Sequence, residues 1–296
     1  MRIEIQAPSF TWPDTADGIG SKRAEIGRTA DEARFASLWV MDHFFQIEYV
    51  EYVGPAEDPM LEGYSALSYQ AGVTERVRLC TLVTGVIYRH SGILLKTATT
   101  LDVLSGGRAY LGIGAGWFER EARGLGLPFP ATKERSERLE ETLRIAHQMW
   151  SGEVALYRGN HYHLKEPLNS PQALSRPHPP IMVGGMGERK TLRLVAQYIG
   201  ACNLVAFAGA DAIRHKLDVL RGHCENLGHS YEEIEKTALG TVNLALDGMT
   251  AEGVIELCRE LGEAGIEHLI FNIPNVHEIE PLETFREEIV PAVADL

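Results

Sequence analysis

The stretch KTATTLDVLSGGRAYLGIGAGWFERE occupies residues 96–121. A helical pattern ends near Leu104, an apolar run of strand character fills 109–114, and glycines stand at 112, 114 and 116. The same alternation of helix and short buried strand recurs along the whole chain. Strand-like runs fall at 2–6, 37–42, 77–84, 109–114, 180–184, 201–207, 237–246 and 268–273. Helical patterns fall at 19–35, 62–72, 93–104, 133–150, 188–198, 210–227, 251–264 and 282–290. Strict alternation predicts an α/β fold with parallel strands and crossover helices. An open doubly wound sheet alternates in the same way. Eight units with no dividing linker favour closure into a (β/α)8 TIM barrel, one domain over residues 1–296. Residues 154–179, rich in His, Pro, Asn and Ser, read as an insertion after helix 4.

The bulk composition narrows the function. The 296 residues are 45% hydrophobic and 23% charged, ordinary for a soluble globular protein. A net charge of −13 argues against a nucleic-acid or anionic-membrane partner, since both need a basic face. Four cysteines without a CxxC pair suit a reducing cytoplasm, and MRIEIQAPSF does not read as a signal peptide. No apolar run approaches the ~18 residues of a membrane span.

Barrel enzymes place their chemistry at the C-terminal ends of the strands. Strand 2 ends in Asp42 and His43. A histidine there suits proton transfer near neutral pH, with the adjacent aspartate to orient it. The rival reading is a histidine that satisfies a loop carbonyl. Strand 3 runs into Gly85, which marks a bulge, a close backbone approach or a simple turn. In strand 4, Gly112 and Gly114 share one face and leave room for a flat ring or for another backbone. GxGxG is not the GxGxxG of a dinucleotide site. Trp117 and Glu121 follow and are candidates for a substrate pocket, together with Phe44. Around Gly184, Gly185, Met186 and Gly187 a strand meets a helix, where free amides suit a phosphate. Asn203 in strand 6 is a further ligand candidate. His161 and His163 lack partners at metal spacing, so no metal is expected.

Together, SLWVMDHFFQ (37–46), RVRLCTLVTGVIYRH (76–90), the stretch at 96–121, RSERLEETLRIAHQMW (135–150) and PPIMVGGMGERKTLRLVAQYIGACN (179–203) resemble the luciferase-like monooxygenase superfamily, in its F420-dependent branch. The resemblance implies a TIM barrel with a cofactor across the mouth. It places the ring against a strand-3 bulge at Thr81, Leu82, Val83 and Thr84, often with a non-prolyl cis peptide, here near Leu82. It places the phosphate on the amides of 184–187, and Asp42 and His43 at the reactive face. His43 itself, Gly114, Ala115, Gly116 and Asn203 complete the implied cofactor-binding set. Sugar-phosphate dehydrogenases of this branch carry Glu directly after the strand-4 glycines. This chain has Trp117, so that reaction is not expected. Ser91 stands where relatives have Pro, and Gly200 where they have Asp. The implied function is an oxidoreductase that uses coenzyme F420 to move hydride to or from a small organic substrate. The alternatives are an FMN-dependent monooxygenase and a non-catalytic flavin-binding barrel. A cytoplasmic homodimer is the expected form.

Overall fold

The computed structural model describes residues 1–13, 15–48, 53–198, 200–245 and 248–296. In chain order its first half runs β1 (Arg2–Gln6), α1 (Thr15–Glu32), β2 (Ser37–Val40), α2 (Gly63–Ala71), β3 (Arg78–Thr81), β4 (Thr84–Gly85), α3 (Ser91–Leu104), β5 (Ala109–Gly114), α4 (Glu119–Gly124) and α5 (Thr132–Ser151). The second half runs β6 (Tyr157–Arg158), β7 (His163–Leu164), β8 (Ile181–Gly184), α6 (Thr191–Tyr198), β9 (Ala201–Val205), α7 (Ala210–Leu227), β10 (Glu235–Thr241), α8 (Ala251–Glu263) and β11 (His268–Asn272). A last helical segment, α9 (Glu280–Thr284), passes through a π-turn into α10 (Val290–Val293).

The main sheet has the hydrogen-bonded order β3-β2-β1-β11-β10-β9-β8-β5-β4, and β5 also pairs with β3. That extra pairing closes the ring, with β3 and β4 serving as one interrupted wall position. The result is a (β/α)8 barrel. Every barrel pairing is parallel. Both faces of a parallel barrel strand are covered, which explains why β2 and β5 are buried along their whole length. Trp39, Cys80, Leu82, Tyr110, Met182, Ala201 and Ile270 form one cluster of their own.

Several bounds differ from those read off the sequence. The expected strand at 77–84 breaks at a cis peptide between Leu82 and Val83. The strand at 237–246 ends at Thr241, and residue 246 lies outside the described residues. Helix α4 was not expected, because six residues are too few to show a helical period. The insertion at 154–179 follows α5 and carries the antiparallel pair β6–β7. Among the described residues no helix is long and apolar enough to cross a membrane.

One buried charge stands out. Arg23 on α1 is 1% exposed, and its guanidinium lies 5.5 Å from the centroid of the Phe10 ring. Its Nε and both Nη atoms have no hydrogen-bond partner among the described residues. Burial lowers its pKa to about 10. An unpaired buried cation is costly, and apolar replacements of buried ions often stabilise. Arg23→Met is therefore expected to raise stability by about 1–4 kcal/mol in urea unfolding. A lower midpoint would show that the guanidinium has a partner.

Candidate functional site

The C-terminal ends of β2, β3/β4, β5, β8 and β9 bring the sequence candidates to one mouth. It is open: Gly185 and Gly187 are exposed, Trp117 is 56% exposed and Phe207, just after β9, is 89% exposed. A cleft of about 920 Å3 lies at the opposite end, beside Arg2, Lys236 and His268. That face of a barrel serves stability rather than catalysis.

Asp42 and His43 follow β2 after Met41, and neighbouring residues of an extended chain point to opposite sides. Asp42 turns outward and is fully buried. Arg89 grips it at both oxygens, Nη1 to Oδ2 at 2.6 Å and Nη2 to Oδ1 at 2.9 Å, and also pairs with Glu62. Burial pushes the Asp42 carboxyl up, and the Arg89 pair pulls against it. At the start of α2, an added Cβ on Gly63 would stand 3.1 Å from Asp42 Oδ1. Asp42 thus ties β2 to α2 and to the segment after β4. The expectation that it orients His43 is corrected: their side chains diverge, and no hydrogen bond joins them among the described residues.

His43 instead meets Glu121 of α4, with Nδ1 2.6 Å from Oε1. Three aromatic rings stand edge-on to the imidazole: Trp117 and Phe118 at 5.8 Å and Tyr88 at 6.2 Å between centroids. Glu121, expected in the substrate pocket, is fully buried behind the imidazole. Burial opposes its ionisation. The bonds from His43, Tyr88 and the Phe44 amide outweigh that and hold its carboxyl below the usual range. Phe44 packs edge-on against Tyr88, 5.3 Å between centroids.

The glycines of β5 accommodate close neighbours, backbone at Gly112 and a side chain at Gly114. A Cβ added to Gly112 would lie 1.9 Å from the Thr81 carbonyl oxygen. One on Gly114 would lie 2.9 Å from Val83 Cγ2, and one on Gly184 2.8 Å from the same atom. Of the two uses left open by the sequence, the neighbouring backbone takes Gly112, and Val83 fills the gap between Gly114 and Gly184. Thr81 Oγ1 donates to the Gly112 carbonyl at 3.0 Å, Thr84 Oγ1 donates to Thr81 Oγ1 at 2.9 Å, and Tyr64 bonds Thr84 at 3.0 Å. Val83 is left half-buried at the mouth. Gly116 has φ +78 and packs at Ile87, where a Cβ would meet Cγ1 at 3.0 Å.

At the end of β8, Gly185 has φ +119. Among the described residues no backbone hydrogen bond takes the amides of Gly185, Met186 or Gly187. The Thr191 hydroxyl lies in the same turn, 2.9 Å from a Cβ added to Gly187. Asn203 pairs in register with Gly184, and its Nδ2 donates to Thr237 Oγ1 at 2.9 Å. Sequence reading missed Tyr88, Arg89 and Thr191 as parts of this region. The stretch VIYRH was noted, but nothing local says which of its side chains turn inward. Among the described residues no group of three or more metal-type ligands forms.

A closed eight-stranded barrel, with one interrupted wall strand and a buried imidazole at its mouth, defines the class. The chain belongs to the luciferase-like monooxygenase family, whose model matches residues 1–267. An F420-dependent glucose-6-phosphate dehydrogenase of Kineococcus radiotolerans is 33% identical over 57% of this chain and 48% of its own length. One of Nakamurella multipartita is 29% identical over 76% of this chain and 65% of its own. An FMNH2-dependent dimethylsulfone monooxygenase of Pseudomonas putida is 28% identical over 46% of this chain and 37% of its own. The chain thus spans from about half to just under two thirds of the two dehydrogenases. Among solved structures, an F420-dependent secondary alcohol dehydrogenase with an F420–acetone adduct has a TM-score of 0.81 at 18% identity, covering 100% of both chains. Tetrahydromethanopterin reductase from Methanopyrus kandleri has a TM-score of 0.78 at 16% identity, covering 98% of both. At such identities these structures speak for the fold alone.

Proposed function

We propose that this chain is an F420-dependent oxidoreductase acting on a small organic substrate. One observation carries the reading: the break between β3 and β4, with half-buried Val83 in it, stands at the same barrel mouth as the buried His43 imidazole. When bound, the reduced deazaflavin supplies a hydride from ring C5, a carbon that makes oxygen activation poor. The residues present suit such a group. Leu82 and Val83 offer an apolar rest for a flat ring. The open amides of 185–187 and the Thr191 hydroxyl offer donors to its phosphate. His43 presents Nε2 to the substrate and gives or takes a proton at its polar atom. Trp117, exposed beside His43, forms a wall of the substrate space.

The Pseudomonas putida relative supports the second reading, an FMN-dependent monooxygenase. Titration of the purified protein with F420 and with FMN, followed by fluorescence, separates the two. Saturable F420 binding at least tenfold tighter than FMN is expected. The reverse order overturns the proposal in favour of FMN, and binding of neither favours a non-catalytic barrel.

A further inference from the structure

We propose that Glu121 is the positioning residue for His43: a buried carboxylate that holds Nδ1, so that Nε2 is the atom offered to substrate. The inference rests on the proton-transfer role given to His43 above.

Every acceptor site of Glu121 is taken. Oε1 lies 2.6 Å from His43 Nδ1 and receives the Tyr88 hydroxyl. Oε2 receives the backbone amides of Phe44 at 2.8 Å and Phe45 at 3.3 Å. Three donors, two of them amides that can only donate, fill three of the roughly four lone-pair positions of an ionised carboxylate, and the fourth faces Nδ1. These contacts outweigh burial and hold the carboxyl below its usual range. Glu121 is therefore ionised, and a carboxylate facing Nδ1 requires the proton on Nδ1. The other ring nitrogen is then free to work at the mouth, as in metal and triad sites where a buried acid sets the imidazole tautomer.

The same side chain fixes the backbone that carries the imidazole. Two of its four bonds go to the residues directly after His43. Gly124, one turn further along α4, makes room for the Phe45 ring, since an added Cβ would meet Cε2 at 2.9 Å. Tyr88 bonds the same oxygen, Oε1, that faces His43, and stands edge-on to the imidazole. Asp42 does not share this duty: Arg89 holds both of its oxygens, and no hydrogen bond joins it to His43 among the described residues.

Glu121→Gln tests this. The carboxamide keeps the shape but turns a donor toward Nδ1, which moves the ring proton to Nε2. In the cofactor-free protein with 15N-labelled histidine, in alkaline buffer, the wild type should show the Nδ1–H tautomer of His43 and the variant the Nε2–H tautomer. Turnover should fall about 10- to 100-fold, the usual loss for such outer partners, with F420 affinity unchanged. Tyr88→Phe, a milder change, should keep the tautomer and lose less turnover. It serves as the second variant should Glu121→Gln not fold, and a wild type already in the Nε2–H form overturns the proposal without any variant. An unchanged tautomer or unchanged turnover in Glu121→Gln also overturns it. If the wild type binds no F420, the functional reading fails, while the tautomer measurement still decides the Glu121–His43 relation.

Discussion

Replacing His43 with alanine is expected to lower turnover by about 10²- to 10⁴-fold while moving cofactor affinity by less than about threefold. The imidazole stands at the mouth, 6% exposed and walled by Tyr88, Trp117 and Phe118. Its Nδ1 is committed to Glu121, so its effect on substrate passes through Nε2. The groups suited to the cofactor are different ones: the cis bulge and the open amides after β8. Removing the ring should therefore leave binding intact and remove the proton path. Paired fluorescence titration and steady-state rates check this. Loss of cofactor binding with turnover per bound cofactor unchanged would show His43 to be a binding group only.

Gly112→Ala should have the largest structural effect. Its added carbon would sit 1.9 Å from the Thr81 carbonyl oxygen, a backbone atom with little freedom to move. Thr81 is fully buried, hydrogen-bonded to the Gly112 carbonyl, and lies where β3 gives way to the bulge. Overpacking a buried site costs about 1–3 kcal/mol, and more where backbone must shift. A loss of about 3 kcal/mol or more is expected here, with loss of cofactor binding as the bulge is displaced. Gly222→Ala in α7 is the control, because nothing lies within 4 Å of its added carbon. It should be neutral or stabilising by up to about 1 kcal/mol. Equal melting temperatures for the two variants would mean that the β3–β5 contact is looser than described.

Much of the barrel was legible because its signals are local. Alternation of buried β-branched runs with amphipathic helices needs only neighbouring residues to be seen. Gly152 illustrates this: it closes α5 in the left-handed conformation, where the sequence placed a helix end. Candidate positions followed, since strand ends name themselves once the strands are known. The roles at those positions were less legible. Asp42 precedes His43, and adjacency suggested partnership. An extended backbone sends adjacent side chains apart, so Asp42 went to Arg89 and His43 to a glutamate 78 residues away. The glycines of β5 likewise have one pattern and two physical uses.

The sequence by itself determined the eight-fold alternation, the strand ends on which the candidate residues lie, and a glycine-rich β5. These rest on period, composition and chain direction, which act over a few residues. Only the tertiary structure decided which carboxylate holds His43, what occupies the space beside Gly112, and that Asp42 is a strut between elements. Those outcomes depend on which distant segments the closed ring brings within about 3 Å of each other, the range at which hydrogen bonds and steric contact act.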